Sequence, residues 1–201
     1  VMDFVGTGTK LQPGDIETVA DQLGIEEAAL RSVLQVETGG SGFDAKNRPK
    51  ALFERHIFYR ELADEPDKQA LAVGNNLAYP KWGTKPYPKN SDGVYVEILA
   101  ACDIDAEAAL RSTSWGLGQI MGSNFRLAGC STPEEMVEQA KQSELKQLQQ
   151  WVSFVKSSKL LDALKAKDWA AFAKGYNGPS YATNKYDVKL AAAYDKFSAT
   201  A

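Results

Sequence analysis

The stretch LQVETGGSGFDAKNRPKALFERH, residues 34–56, decides how the chain folds around its chemistry. It opens as the end of an apolar helix, IEEAALRSVLQVETGG (25–40), with Ile25, Ala28, Ala29, Val33 and Val36 near one face. Gly39 and Gly40 stop that helix. Glu37 therefore falls on its last turn, with Val33 and Leu34 one turn behind. The negative end of the helix dipole disfavours a carboxylate there, and apolar neighbours disfavour it further. Both effects hold a glutamate protonated near neutral pH, as a general acid requires. A solvated helix-end glutamate is the plain alternative.

Beyond the glycines the pattern changes. GFDAKNRPKALFERH (42–56) has short apolar runs around the turn-forming KNRPK, which predicts a small hairpin rather than a helix. Across it, 17 residues after Glu37, stands Glu54. Glycoside cleavage uses one carboxyl group to protonate the leaving oxygen. A second stabilises or attacks the oxocarbenium-like centre, or activates water. A helix-end acid and a hairpin carboxylate straddle a cleft naturally. Asp44, on the same hairpin, is the rival second carboxylate, and Glu54 has a competing role as an ion-pair partner of Arg48 or Arg55.

Working outward, helical periodicity dominates. PGDIETVADQLG (13–24) starts at Pro13 and Asp15 and stops at Gly24. Helices are also predicted over VYVEILAACDI (94–104), DAEAALRS (105–112), SWGLGQIMGSNF (114–125), DWAAFAKGYNG (168–178) and YDVKLAAAYDKF (186–197). A long one spans 132–158, with Thr132 as N-cap, Pro133 at the first position and Glu135 completing a capping box. Between Gly74 and Asp92 runs an irregular loop holding Tyr79, Trp82 and Tyr87, and long loops in compact domains are often functional. Those aromatics either stack on sugar rings or pack the loop onto the domain. The fold class is mostly α, a helical domain with a small β-hairpin lobe flanking a cleft.

The 201 residues fit one domain over 11–201, with VMDFVGTGTK (1–10) read as a linker. The net charge of −3 gives no reason to expect nucleic acid. No apolar run approaches the roughly 18 residues of a membrane span. The first ten residues lack the order of a secretory signal, which predicts cytoplasmic synthesis without export. His56 is the single histidine, so neither a metal site nor a nucleophilic triad is expected, and it is read as structural. Cys102 and Cys130 read as two thiols rather than a disulfide framework.

Two further motifs remain. In TSWGLGQIMGSNF (113–125), Gly116 and Gly118 permit close backbone approach and Gln119 offers both a donor and an acceptor, while Trp115 belongs to the core. In AKGYNGPSY (173–181), Tyr176 and Asn177 place a phenol and an amide at a helix end. In this order, ETGG, GLGQIM and YNG resemble the lysozyme superfamily, in particular goose-type lysozymes and soluble lytic transglycosylases. The gap from Glu37 to Glu54 is similar to that between acid and carboxylate in chicken-type lysozyme. More closely, ETGGSGFD, RPKALFERHIFYR and SWGLGQIMG resemble the N-acetylmuramidase domain of modular phage endolysins, from Leu11 to about Phe197.

The resemblance implies a lysozyme-like fold in which Glu37 is the catalytic acid, and the two-carboxylate reading adds Glu54 as its partner. Gln119, Tyr176 and Asn177 would line the sugar cleft, with Asp44, Ser114 and Trp82 as further substrate contacts. It also implies a monomer acting on peptidoglycan without a cofactor or metal. The enzyme would be made in the host cytoplasm and reach the periplasm once a holin opens the membrane. Thr38 stands where transglycosylases have serine, and Gly118 replaces the methionine of GLMQI. Glu54 has no counterpart in typical lytic transglycosylases, which tilts the expectation to hydrolysis. The alternatives are a lytic transglycosylase giving 1,6-anhydro products and a non-catalytic wall-binding phage module.

Overall fold

The computed structural model describes residues 2–200. Two helices, α1 (Asp15–Leu23) and α2 (Glu27–Thr38), lead into strand β1 (Ala51–Phe53), which α3 (Arg55–Glu61) follows directly. Then come α4 (Pro66–Gly74), the loop 75–90, α5 (Ser91–Ile104) and α6 (Ala106–Arg111). Strands β2 (Thr113–Trp115) and β3 (Ile120–Met121) and a single 3₁₀ turn at Gly122–Asn124 precede the last helices. These are α7 (Pro133–Gln142), α8 (Glu144–Ser157), α9 (Leu161–Ala166), α10 (Trp169–Asn177) and α11 (Tyr186–Ala199). The fold is mostly α with one small antiparallel sheet.

Helix α2 carries Glu37 on its last turn. Its Ala29, Leu30, Val33 and Leu34 are buried, whereas the expected face residues Ala28 and Val36 lie at the edge of that stripe. α11 lies along α2. The helix ends as Gly39 enters the left-handed region (φ 68°), its N–H bonding Gln35 O while Gly40 N–H bonds Leu34 O. Only glycine takes that conformation without steric cost, so the glycine pair fixes where Glu37 comes to rest.

The sheet differs from the expected hairpin. Residues 42–50 form a turn closed by a single bridge between Phe43 and Pro49. β1 pairs instead with β2, with Ala51 opposite Trp115 and Phe53 opposite Thr113, and β2 pairs with β3. The segment 114–125, expected to be helical, thus supplies a strand-turn-strand, the turn using positive φ at Gly116 and Gln119. Long-range pairing with β1 overrides its local helical character. The long helix also breaks in two at Ser143, whose hydroxyl accepts Lys146 N–H at 3.0 Å and caps α8.

α8 is the frame of the molecule. Leu148, Trp151 and Val155 on it are fully buried, and so, against expectation for polar groups, are Glu144, Gln147 and Gln150. Each polar group is bonded to backbone. Glu144 accepts Leu11 N–H at 2.9 Å and Gly42 N–H at 2.6 Å. Gln147 accepts Leu117 N–H at 2.9 Å and donates to Gly42 O and Ala140 O. One helix face therefore holds the loop after α2 and the turn between β2 and β3.

The segment read as a linker also lies against this frame. Phe4 is buried and stacks on Trp115 at 5.7 Å between ring centroids, and its ring also meets Tyr95. Gly6 N–H bonds Asn47 O, Thr7 N–H bonds Lys141 O, and Glu144 N–H bonds Thr9 O. No periodicity marks such an irregular strap in a sequence. Val1 lies outside the described residues.

Glu144→Ala would strip the buried Gly42 N–H and the part-buried Leu11 N–H of their shared acceptor, at a cost of about 3 kcal/mol. Glu144→Gln keeps one acceptor oxygen and should lose less. Urea unfolding of the three proteins measures the difference, and a loss below about 1 kcal/mol in Glu144→Ala would refute this framing role.

Candidate active site

Glu37 faces α10. Asn177, the last residue of that helix, donates from Nδ2 to Glu37 Oε1 at 3.0 Å. Burial strips water from the carboxyl and raises its pKa to about 7, with the Asn177 bond pulling the other way. Among the described side chains no cation pairs with Glu37. A carboxyl held in this way keeps its proton close to neutral pH and can give it up to a buried acceptor.

Glu54 occupies the boundary between β1 and α3, as the residue preceding the first turn of that helix. Neither expected arginine reaches it. Arg48 binds Asp44 and Asp92, while Arg55 binds Glu97, Tyr79 Oη at 2.8 Å and Pro86 O at 3.0 Å. Its side chain is only 14% exposed, and it accepts a hydrogen bond from Tyr87 Oη at 2.7 Å. Burial raises its pKa and the Tyr87 bond opposes that rise. His56 Nδ1 lies 3.4 Å away, and burial together with the nearby Arg60 charge lowers the histidine's pKa.

The rival carboxylate is saturated. Asp44 accepts the N–H groups of Lys46 and Arg48 at 2.9 Å each, pairs with Arg48 Nε at 2.7 Å, and is bonded by Ser91 Oγ. Its pKa is lowered, because these bonds outweigh its burial. Asp44 is the lock of the 42–50 turn, with no lone pair directed at a ligand.

The remaining expected contacts divide. Tyr176 donates its hydroxyl to Gly118 O and stacks on Phe172 at 5.0 Å. A Cβ on Gly118 would come within 2.7 Å of Trp151 Cδ1 and 3.0 Å of Tyr176 Oη, so the close approach this glycine permits is to the core. Gln119 spends its amide N–H groups on Lys50 O and Gly116 O, holding the β2–β3 turn. Ser114 is buried in the sheet, its hydroxyl on Met121 Sδ. Trp82 is 59% exposed and donates from Nε1 to Tyr87 Oη at 3.0 Å. The loop 75–90 thus lays a Trp82–Tyr87–Glu54 chain along the site, pinned at its base by Arg55.

Two groups were missed by the sequence reading. Tyr87 is expected either to stack on a sugar or to pack the loop onto the domain, and its hydroxyl in fact anchors Glu54. Tyr186, at the start of α11, is half-buried, and its pKa is raised by burial and then by the negative charges of Glu37 and Glu54. It therefore stands in the field of both carboxylates. An aromatic residue opening a helix carries no sequence signal for that placement. The thiols of Cys102 and Cys130 are free, and burial pushes both up to about 11, which leaves them inert.

Asn177→Ala removes the bond that favours ionised Glu37, so the carboxyl pKa should rise above about 7. If the protonated form is the active one, the alkaline limb of the pH–rate profile then moves to higher pH. An unmoved limb in a folded variant would show that the amide does not act through Glu37.

The structure is similar to the crystal structure of the Burkholderia AP3 phage endolysin, with a TM-score of 0.79 and 41% identity. The likeness covers 96% of this chain and 73% of that one. A search of the curated proteins finds no match. The family model for N-acetylmuramidases matches residues 26–198, which takes in both glutamates, the β2–β3 turn and the Tyr176–Asn177 pair. On that match, the chain belongs to the N-acetylmuramidase family.

Proposed function

We propose that the protein is a peptidoglycan-degrading endolysin that hydrolyses the β-1,4 bond between N-acetylmuramic acid and N-acetylglucosamine. The observation that carries this reading is the pair of glutamates in unlike surroundings. Glu37 is held protonated by burial, and Glu54 is enclosed without a cation and bonded by a phenol. Family membership and the likeness to a phage endolysin support the substrate class.

In the reaction, Glu37 protonates the glycosidic oxygen as the bond breaks. Glu54 faces the positive charge that grows on the muramic C1, and stabilises it, attacks it, or takes the proton of an entering water. The Tyr87 hydroxyl favours the ionised state this role needs, and Asn177 orients Glu37 through its amide. The acid and carboxylate roles suffice for this chemistry without a metal. The described residues contain no helix long and apolar enough to cross a membrane. Access to the wall through a membrane-permeabilising partner such as a holin belongs to the same proposal, supported by the likeness to a phage endolysin.

Mass spectrometry of muropeptides released from purified peptidoglycan tests the reading. Reducing muramic acid ends are expected. Ends in 1,6-anhydro form would mark a lytic transglycosylase, and no release would mark a non-catalytic wall-binding module.

A further inference from the structure

A groove of about 390 Å³ lies between the 42–51 segment and the start of α5. Its floor is apolar, with Phe43 and Val94 buried and Pro88 half-buried. Its rim carries Lys50 and Lys89. Neither lysine has an ion-pair partner among the described residues. The acidic residue in the lining, Asp44, is consumed by Arg48 and by backbone N–H groups. The groove is therefore locally cationic on a chain whose net charge is −3.

Its position relates it to Glu54 from two sides. Ala51, in the groove, opens strand β1, and Glu54 follows three residues on, about 10 Å along an extended chain. Pro88 and Lys89 follow directly on Tyr87, whose hydroxyl holds Glu54. A ligand in the groove would thus lie against two segments of chain that continue into the surroundings of the carboxylate. It would be a short, apolar-backed, anionic segment rather than a neutral glycan.

We propose that this groove binds the stem peptide carried by the lactyl group of muramic acid, with Lys50 and Lys89 pairing with its free carboxylates. Phe43, Val94 and Pro88 receive its small apolar side chains. The inference rests on the muramidase reading and adds to it a substrate preference: strands that still bear their peptides over bare glycan. Peptide density, not sugar sequence alone, then selects where the wall is cut.

The test compares kcat/KM on peptide-bearing glycan strands with kcat/KM on the same strands stripped of peptide by an amidase. The native enzyme should prefer the peptide-bearing strands by about tenfold, and Lys50→Met/Lys89→Met should bring that ratio close to one. Lys89→Glu, at an exposed position, should invert the preference without threatening the fold. A preference that survives in the double variant, or a native enzyme with none, overturns the proposal. Cleavage of neither substrate by the native enzyme would overturn the muramidase reading itself, and this proposal with it.

Discussion

Glu37→Gln folds and loses at least about 10²-fold in muropeptide release, because glutamine fills the glutamate's volume but has no proton to give. The same variant carries a second, independent signature in its stability. Glu37 in the folded protein titrates at about 7, above its ordinary 4.5. The folded state therefore binds more protons than the unfolded state between those values, and stability falls as pH rises through them. Below about 4.5 the native glutamate is neutral in both states, and the variant has no advantage. Above about 7 the native protein bears a buried charge that glutamine lacks, so the variant should be the more stable by up to about 3 kcal/mol. Urea denaturation at pH 4 and pH 8, beside the release assay, reads both effects. A folded variant keeping more than about a tenth of native activity would remove Glu37 as the acid.

The second large effect belongs to Glu54. Glu54→Gln should approach the loss seen for Glu37→Gln, about 10²-fold, since an amide neither stabilises a cation well nor attacks it. Its fold should survive, because neither Arg48 nor Arg55 depends on Glu54 for a partner. Asp44→Asn supplies the contrast. It weakens the pair with Arg48 and the lock on the 42–50 turn, so it should lower the melting temperature while the folded fraction still cleaves. An inactive Asp44→Asn beside an active Glu54→Gln would exchange the two assignments.

What the sequence made legible follows from how local each cause is. The end of α2 could be read because a glycine pair at a helix terminus acts on its own neighbours, and Glu37 came with it. Thr132 and Glu135 also act locally. Thr132 Oγ1 accepts Glu135 N–H at 3.0 Å, and Glu135 reaches back to Ser131 N–H at 2.6 Å. The sheet could not be read this way. Residues 113–121 look helical until the partner strand 51–53 is supplied, and that partner lies about sixty residues away.

The site divides along the same line. Glu37, Glu54 and Asn177 are chemically conspicuous, and their motifs single them out. Their setting is built from afar: Tyr87 arrives on a loop, Tyr186 on the last helix, and Arg55 turns to Glu97 instead of the adjacent glutamate. Gln119, conspicuous for the same reasons as Asn177, proves to be a brace for a turn. Motif membership marked these residues without revealing the hydrogen bonds that hold them.

One carboxylate on α8 has a consequence for anyone who trims or fuses this domain. Glu144 holds Leu11 with one oxygen and Gly42 with the other, and Gly42 begins the turn that leads to β1 and Glu54. A shortened version starting at Gln12 would retain every residue of the proposed chemistry, yet leave half of that carboxylate unmatched and Trp115 without its stacked Phe4. The minimal engineered unit is therefore set by a strap packed on α8, and the boundary drawn from the motifs alone falls inside it.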